Sequence, residues 1–507
     1  MNRRNTSAVF GMMILAMGMG FAQENAPPSD SQATQQPVPA FGQENTPSTP
    51  ITDNPPLSGM DLPSLQEHAA PLSYLQPGAT FSQSATTNLQ NTVGGGDAGS
   101  ITRALGTLQL RRLWSHYDLA LDYMGGAGYY ARGGGGWRQL QSLAFAQKIE
   151  WKRGQLTLHD SFSYLPEGNF GAAYGALGSV GSGGIGAVPG GLFGGNVLGS
   201  LGLVPRILNI SLAELSENLS PKSIVTATGG YTFSHFYGED FNGTSFIGSS
   251  EITAMGGYNR ILTAHTQVAA VYRYQGFDFS VVGTSFHSHV VQGMYGHRIS
   301  GRMDLLLGAG PQITEIGTAC TVLDVDPHCS LAPGGEPVGT IPDTRLGVAA
   351  QARLRYRFPK SSVNLQYERI LSGGGGVFAG AQSDIVRFHL DRPLSRVWNL
   401  STELGFSHND RLRPLTPAQQ ASCNSNTQTS QTACPARDAT TYIDAYAGAA
   451  IHRYFGRTLH GFLGYQFNEL SFDHGYCPAG TAACSRISHR QVITLGLDWT
   501  PRPIRID

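Results

Sequence analysis

His159, Asp160 and Ser161 are the residue types of a hydrolytic triad, a base, its orienting acid and a hydroxyl. On an extended segment they cannot act together, because successive side chains point to opposite faces and Asp160 turns away from the other two. A triad gathered from separate segments stays open, yet no GxSxG turn is present to hold a nucleophile. His287 and His289 share one strand face and could share a metal, but no third ligand lies near them in sequence. The runs Gly133–Gly136 and Gly373–Gly376 imitate phosphate loops without the Gly-Lys-Ser/Thr context that such loops need, and they read as loop glycines. No catalysis, no metal and no cofactor is expected.

The six cysteines fall into three close pairs, Cys320 and Cys329, Cys423 and Cys434, and Cys477 and Cys484. Six cysteines allow fifteen connectivities, and local pairing is the simplest because each pair closes a short loop independently. No CxxC or Cys/His spacing suited to zinc occurs, so three disulfides in an oxidising compartment are expected. Each pair falls in a long connection, and none falls in a predicted strand.

Those connections separate segments whose alternation is the main signal of the chain. From Arg345 to Phe358, Leu346, Val348, Ala350, Ala352, Leu354, Tyr356 and Phe358 alternate with Arg345, Gly347, Ala349, Gln351, Arg353, Arg355 and Arg357. A period of two places these sets on opposite faces of a strand, one apolar and one basic. Similar alternation runs through Tyr117–Tyr123, Trp398–Phe406 and Ile493–Trp499. Short turns such as Lys152-Arg153-Gly154, Ser220-Pro221-Lys222 and Pro359-Lys360-Ser361 join strands into hairpins.

The fold class that follows is all-β, a transmembrane antiparallel up-and-down β-barrel of eighteen strands between residues 79 and 500, with sixteen as the alternative count. Predicted strands run from 79–91 to 487–500; the span 204–218, whose Ile207–Leu215 could equally start a helix, is retained because the parity of the later turns requires it. An even count returns both termini to the short-turn side, the periplasmic side of an outer-membrane barrel. Such strands must close into a ring to satisfy their backbone in hydrocarbon, and a ring of this size encloses an aqueous lumen unless something fills it.

Composition agrees. Among 507 residues 14% are charged, against ~25% in ordinary soluble chains, and no long uncharged apolar run follows the N-terminus. A formal net charge of −1 argues against nucleic acid as a partner. Of 34 basic residues four are Lys, leaving 30 Arg, and three of the Lys (Lys152, Lys222, Lys360) sit in short turns. Residues 1–22 read as a signal peptide: Arg3 and Arg4, an apolar stretch, then Gly20-Phe21-Ala22 with cleavage after Ala22. Residues 23–78, rich in Pro, Gln and Ser, read as a disordered periplasmic segment in which 62–75 could form a short helix entering the barrel mouth. Residues 501–507 form a short tail. These features place the chain in outer-membrane lipid.

Two sets of residues could shape the lumen. Arg345, Arg353, Arg355, Arg357 and Arg387 form a basic strip, opposed by Glu368, Asp391 and Glu403; such a strip either selects ions or pairs as ordinary wall residues. The connection from Gly168 to Val204 carries no charge and is Gly-rich with interspersed Leu, Val and Phe, so it either folds inward or serves as a surface or subunit contact. At this point the architecture of residues 79–500 resembles bacterial porins, whose third extracellular loop commonly enters the pore. The resemblance implies passive passage of small solutes and a homotrimer as an assembly that porins often form. It departs from general porins in that the inserted loop lacks acids. Tyr117, Tyr123, Trp151, Tyr356, Phe358, Trp398, Phe406 and Trp499 fit interfacial girdles. Gly496, Leu497 and Trp499 resemble the C-terminal signal read by barrel assembly machinery, although Thr500–Asp507 extend past the usual terminal aromatic. The competing expectation is a non-conducting barrel acting in surface binding, adhesion or envelope structure.

Overall fold

The computed structural model describes residues 57–58, 73–89, 96, 98–131, 136–166, 205–237, 247–279, 283–319, 328–331, 337–374, 377–412, 439–476 and 485–506. Its strands are β1 (Tyr74–Thr86), β2 (Gly99–Leu113), β3 (Tyr117–Ala131), β4 (Gly136–Trp151), β5 (Gly154–Leu165), β6 (Arg206–Ser220), β7 (Ser223–Phe236), β8 (Ser249–Thr263), β9 (Thr266–Phe279) and β10 (Thr284–Ser300). They continue as β11 (Met303–Ala319), β12 (Cys329–Leu331), β13 (Pro337–Phe358), β14 (Ser361–Ser372), β15 (Ala381–Pro393), β16 (Trp398–Arg411), β17 (Thr441–Tyr454), β18 (Leu459–Tyr476), β19 (Ser485–Trp499) and β20 (Ile504–Arg505). Of these twenty, β12 and β20 are three and two residues long, which leaves eighteen long strands.

Each long strand pairs antiparallel with its neighbour in sequence, and β1 closes on β19 from Ala79↔Trp499 to Thr86↔Val492. Ser84 Oγ and Thr494 Oγ1, 2.8 Å apart, bridge the seam inside the ring. The fold is therefore a closed eighteen-stranded antiparallel barrel. Alternation gives it an inside-out character: on β1 the inward Thr80, Ser82, Ser84 and Thr86 are buried while Phe81 is 55% exposed on the outside. On β13 the outward Leu346 and Val348 are 81% and 55% exposed. A soluble protein would hide those side chains, whereas hydrocarbon accommodates them.

The segment 206–220, ambiguous in sequence, is strand β6, because its full ladder to β5 and β7 outweighs the local helix-compatible run. The connections β2–β3, β4–β5, β6–β7, β8–β9, β10–β11, β13–β14, β15–β16 and β17–β18, two to four residues each, lie at one end, and the cysteine-bearing connections lie at the other. Two connections at the long-loop end, 132–135 and 280–283, are only four residues each. Cys329 opens β12 and so lies in a strand, contrary to the expectation that no cysteine does. It pairs in register with Gly339 of β13, which extends six residues before the predicted start at 343. Cys320, Cys423, Cys434, Cys477 and Cys484 lie outside the described residues, as do residues 1–56 and the connection 168–204.

β1 begins at Tyr74 rather than 79, and Tyr74 and Leu75 are extended rather than helical. The remainder of the expected helix, 62–72, lies outside the described residues. Pro77 is tolerated in β1 because the β1–β19 ladder starts only at Ala79, so no donor is required of it on that side. Residues Ile504–Arg505 fold back onto Leu75–Tyr74, and Gln76 Nε2 donates to Pro501 O at 3.0 Å. The tail beyond Trp499 thus extends the seam instead of hanging free.

A charge on the lipid side tests this orientation. Val348→Arg, near the middle of β13, should lower barrel stability by about 2–4 kcal/mol, whereas Val348→Leu should be close to neutral; denaturant titrations of the barrel in lipid vesicles read the difference.

Candidate functional site

Strand parity directs all eight charged residues singled out in the sequence into the bore, along β13 to β16. Arg353 interacts with Glu368, one of the expected acids, while other members of the strip have partners outside it. Arg355 binds Asp304 of β11, with Nη2 2.6 Å from Oδ2 and Nε 2.9 Å from the same oxygen, a forked ion pair. Arg345 pairs with Asp343 two residues back, at 3.1 Å. Asp391 meets His389 Nε2 at 2.6 Å, and Glu403 accepts a hydrogen bond from Tyr446 Oη at 2.6 Å. Arg387 lies in electrostatic range of Tyr446, and Arg357 in range of Asp304. Much of the strip is thus wall pairing. Asp304 and Asp343 escaped the sequence reading although the inward register of their strands would have placed both.

A second group faces the bore from β8 and β9. Glu251 accepts from Thr253 Oγ1 at 2.9 Å and Gln275 Nε2 at 3.1 Å, and Arg273 lies in electrostatic range of both Glu251 and Glu368. Arg353 in turn interacts with Glu368. Three strands, β10, β11 and β13, separate Arg273 from Glu368 around the wall, so this electrostatic contact runs across the interior as a chord. Arg273 Nε and Nη2, Glu251 Oε2 and Glu368 Oε2 are buried and make no hydrogen bond to the protein. Such atoms need a polar environment, which in a barrel is whatever occupies the bore.

Toward the long-loop mouth the inner face becomes apolar. Phe277 and Phe279 of β9, Phe286 of β10, Ile316 of β11, Leu371 and Leu412 form one buried cluster. Phe378, Ala381, Ala439, Tyr442, Leu470 and Phe472 form another. The connection 373–380 joins them, because Phe378 belongs to the second cluster while Ala379 packs on the first. Two glycines make this turn: Gly374 has φ +73° and Gly380 φ +87°, both in the left-handed region that disfavours side chains. A Cβ at Gly380 would also stand 2.4 Å from the Phe286 ring. Val377 N and Phe378 N donate to Gly374 O at 3.0 and 3.1 Å, the Phe378 ring meets Tyr442 at 5.1 Å, and the Arg411 guanidinium lies 5.7 Å from the centre of the Phe378 ring. Gly373 and Gly374 lie outside the strands, as the composition indicates, and Gly375 and Gly376 lie outside the described residues; the packing role of this connection was not visible in the glycines themselves.

The remaining motifs separate. His159 faces inward, while Asp160 faces outward and accepts from Ser211 Oγ at 2.5 Å, so these neighbours form no triad. His287 and His289 face outward, where their Nδ1 atoms lie 2.8 Å from the hydroxyls of Tyr274 and Tyr272. Tyr117, Trp151, Phe358, Trp398 and Trp499 are exposed at the short-turn end, with Trp114 and Phe455 beside them. Tyr129 and Trp137 pack together outside the long-loop end at 5.4 Å. Tyr123 and Phe406 lie inside their strands rather than at the rims.

No protein-family model and no curated protein matches the chain. Solved structures similar in outline include Pseudomonas aeruginosa OccK2 (OpdF) in complex with glucuronate, at 11% identity and TM-score 0.39 over 84% of this chain and 98% of that one. Acinetobacter baumannii OccAB3 gives 9% identity and TM-score 0.37, covering 85% and 99%. The ferric-catecholate import receptor Fiu from Escherichia coli K12 gives 10% and 0.40, covering 83% and 81%. Likeness at this level assigns no cargo or mechanism.

Phe378→Ala should loosen the mouth turn, since removing a buried Phe costs about 3–5 kcal/mol. Hydrogen exchange at the amides of Val377 and Phe378 should then accelerate strongly, while amides of the β1–β19 seam keep their protection.

Proposed function

We propose that the chain is an outer-membrane channel for passive diffusion of small hydrophilic solutes. The observation that carries this reading is the closed ring of eighteen strands with apolar side chains outside and polar, charged side chains inside. A ring of that size exceeds what its own side chains fill, and unpaired polar atoms such as Arg273 Nη2 suit a hydrated path. The inward arginines favour anions only to the extent that their acids leave them uncompensated. Export through a signal ending at Ala22, insertion guided by Gly496, Leu497 and Trp499, local disulfides in the three cysteine pairs and homotrimer assembly belong to the same proposal.

The apolar mouth around Phe378 supports a second reading, a closed barrel acting in surface binding, because a dry constriction can block ions without a solid plug. Reconstitution into planar bilayers distinguishes the two. Stepwise conductance is expected, and Arg353→Glu should move the reversal potential toward cation preference without abolishing the steps. Persistent silence of the wild-type barrel and of Phe378→Ala would overturn the channel.

A further inference from the structure

The bore holds a residue pair that belongs to no strand. Leu57 and Ser58, sixteen or more positions before β1, sit on the inner faces of β7 to β11 near the short-turn end. Every polar group of Ser58 is taken up by wall side chains. Its N–H donates to Asn259 Oδ1 at 3.0 Å, its carbonyl accepts from Thr226 Oγ1 at 3.1 Å, and its hydroxyl contacts Thr226 Oγ1 at 2.5 Å and accepts from Asn259 Nδ2. Ser58, Thr226 and Asn259 are each 1% exposed.

The wall is shaped for this pair. Leu57 packs against Ala269, Val271 and Met294 together with Met255 and Leu306, an apolar patch in an inner face that is otherwise largely polar at this height. Two inward glycines supply the room: a Cβ at Gly257 would lie 2.2 Å from Ser58 Cβ, and one at Gly296 would lie 2.7 Å from Leu57 Cδ2. Four strands thus supply an apolar seat, two side chains satisfy the serine, and two glycines leave the gap. Thr226 and Asn259 stand six and seven strands around the ring from β1, so the covalent link from Ser58 to Tyr74 starts and ends on different walls of the bore.

We infer that this seat on β7–β11 is an intramolecular binding site whose ligand is Leu57–Ser58, and that its occupancy restricts the short-turn mouth of the bore. The restriction rests on the channel reading; the seat does not. A charge at residue 57 should vacate the seat, because the carboxylate would be stranded on the apolar patch.

The test uses the full chain. With Ser58→Cys and Thr226→Cys together, a disulfide should form in the folded barrel, and it should not form when the second cysteine is placed at Ala450, inward on β17 across the ring. In planar bilayers Leu57→Asp should raise unitary conductance severalfold over wild type. The Ser58→Cys/Thr226→Cys barrel should stay at the low level when oxidised and rise when its thiols are alkylated before they can join. Equal cross-linking to both walls would overturn the seat, and wild-type conductance from Leu57→Asp would overturn the restriction. If every variant is silent while the Ser58–Thr226 cross-link still forms specifically, the channel reading falls and the seat stands.

Discussion

Ring closure is the constraint on which the rest of this structure depends. In hydrocarbon an unpaired peptide group costs several kcal/mol, so a sheet that enters a membrane cannot keep a free edge. Eight consecutive pairs between β1 and β19 remove that edge, and Ser84, Thr494, Thr86 and Arg490 reinforce them from inside, Arg490 Nε donating to Thr86 Oγ1 at 3.2 Å. Once the ring is closed, each strand has an inside and an outside, and the alternation of the sequence decides what each side is. Even the tolerated prolines follow from the ladder. At Pro311 the β10–β11 pairing is interrupted between Val290↔Gln312 and Gly293↔Ala309, which spares the missing donor a partner on that side.

Closure also explains why arginine dominates the interior. A bore wall offers carboxylates at fixed cross-strand positions, and the planar guanidinium can meet one with two parallel donors, as Arg355 does with Asp304. A lysine would supply a point charge without that register. Part of the charge inside the barrel is thus committed to holding the wall, while atoms of the Glu251–Arg273–Glu368 group are among the buried donors and acceptors that make no hydrogen bond to the protein. Those are the groups with which a passing solute could exchange hydrogen bonds.

The strands were legible in the sequence because a period of two survives any tertiary context: Arg345–Phe358 can be read as one wet and one oily face without knowing its neighbours. Parity carried the count, since tight turns at Lys152, Lys222 and Lys360 must share one end, and this settled β6 despite its helix-compatible run. What stayed hidden depends on contacts between residues far apart in sequence. Nothing local marks Asp304 as the partner of Arg355, Phe378 as the link between two mouth clusters, or Ser58 as the residue that Asn259 holds 201 positions away. The early start of β1 was obscured by Pro77, a residue that usually argues against a strand and is admitted here by the staggered seam.

Along its axis the inner surface is not uniform. Charged and amide side chains occupy the middle, while apolar patches lie at both ends, around Phe378 at the long-loop mouth and around Met255 and Met294 at the other. Water fills a polar bore readily and leaves a narrow apolar one, so the two ends rather than the charged middle are where passage would be limited. The two patches also differ in kind. The long-loop patch is closed over by a turn built into the β14–β15 hairpin, with left-handed glycines fixing its path. The short-turn patch is covered by Leu57, which reaches it from outside the strand order. An element within a hairpin shares the stability of the ladder, whereas one held by a few side chains can leave without disturbing any strand pair. Of the two constrictions, the short-turn one is therefore the one the fold permits to change.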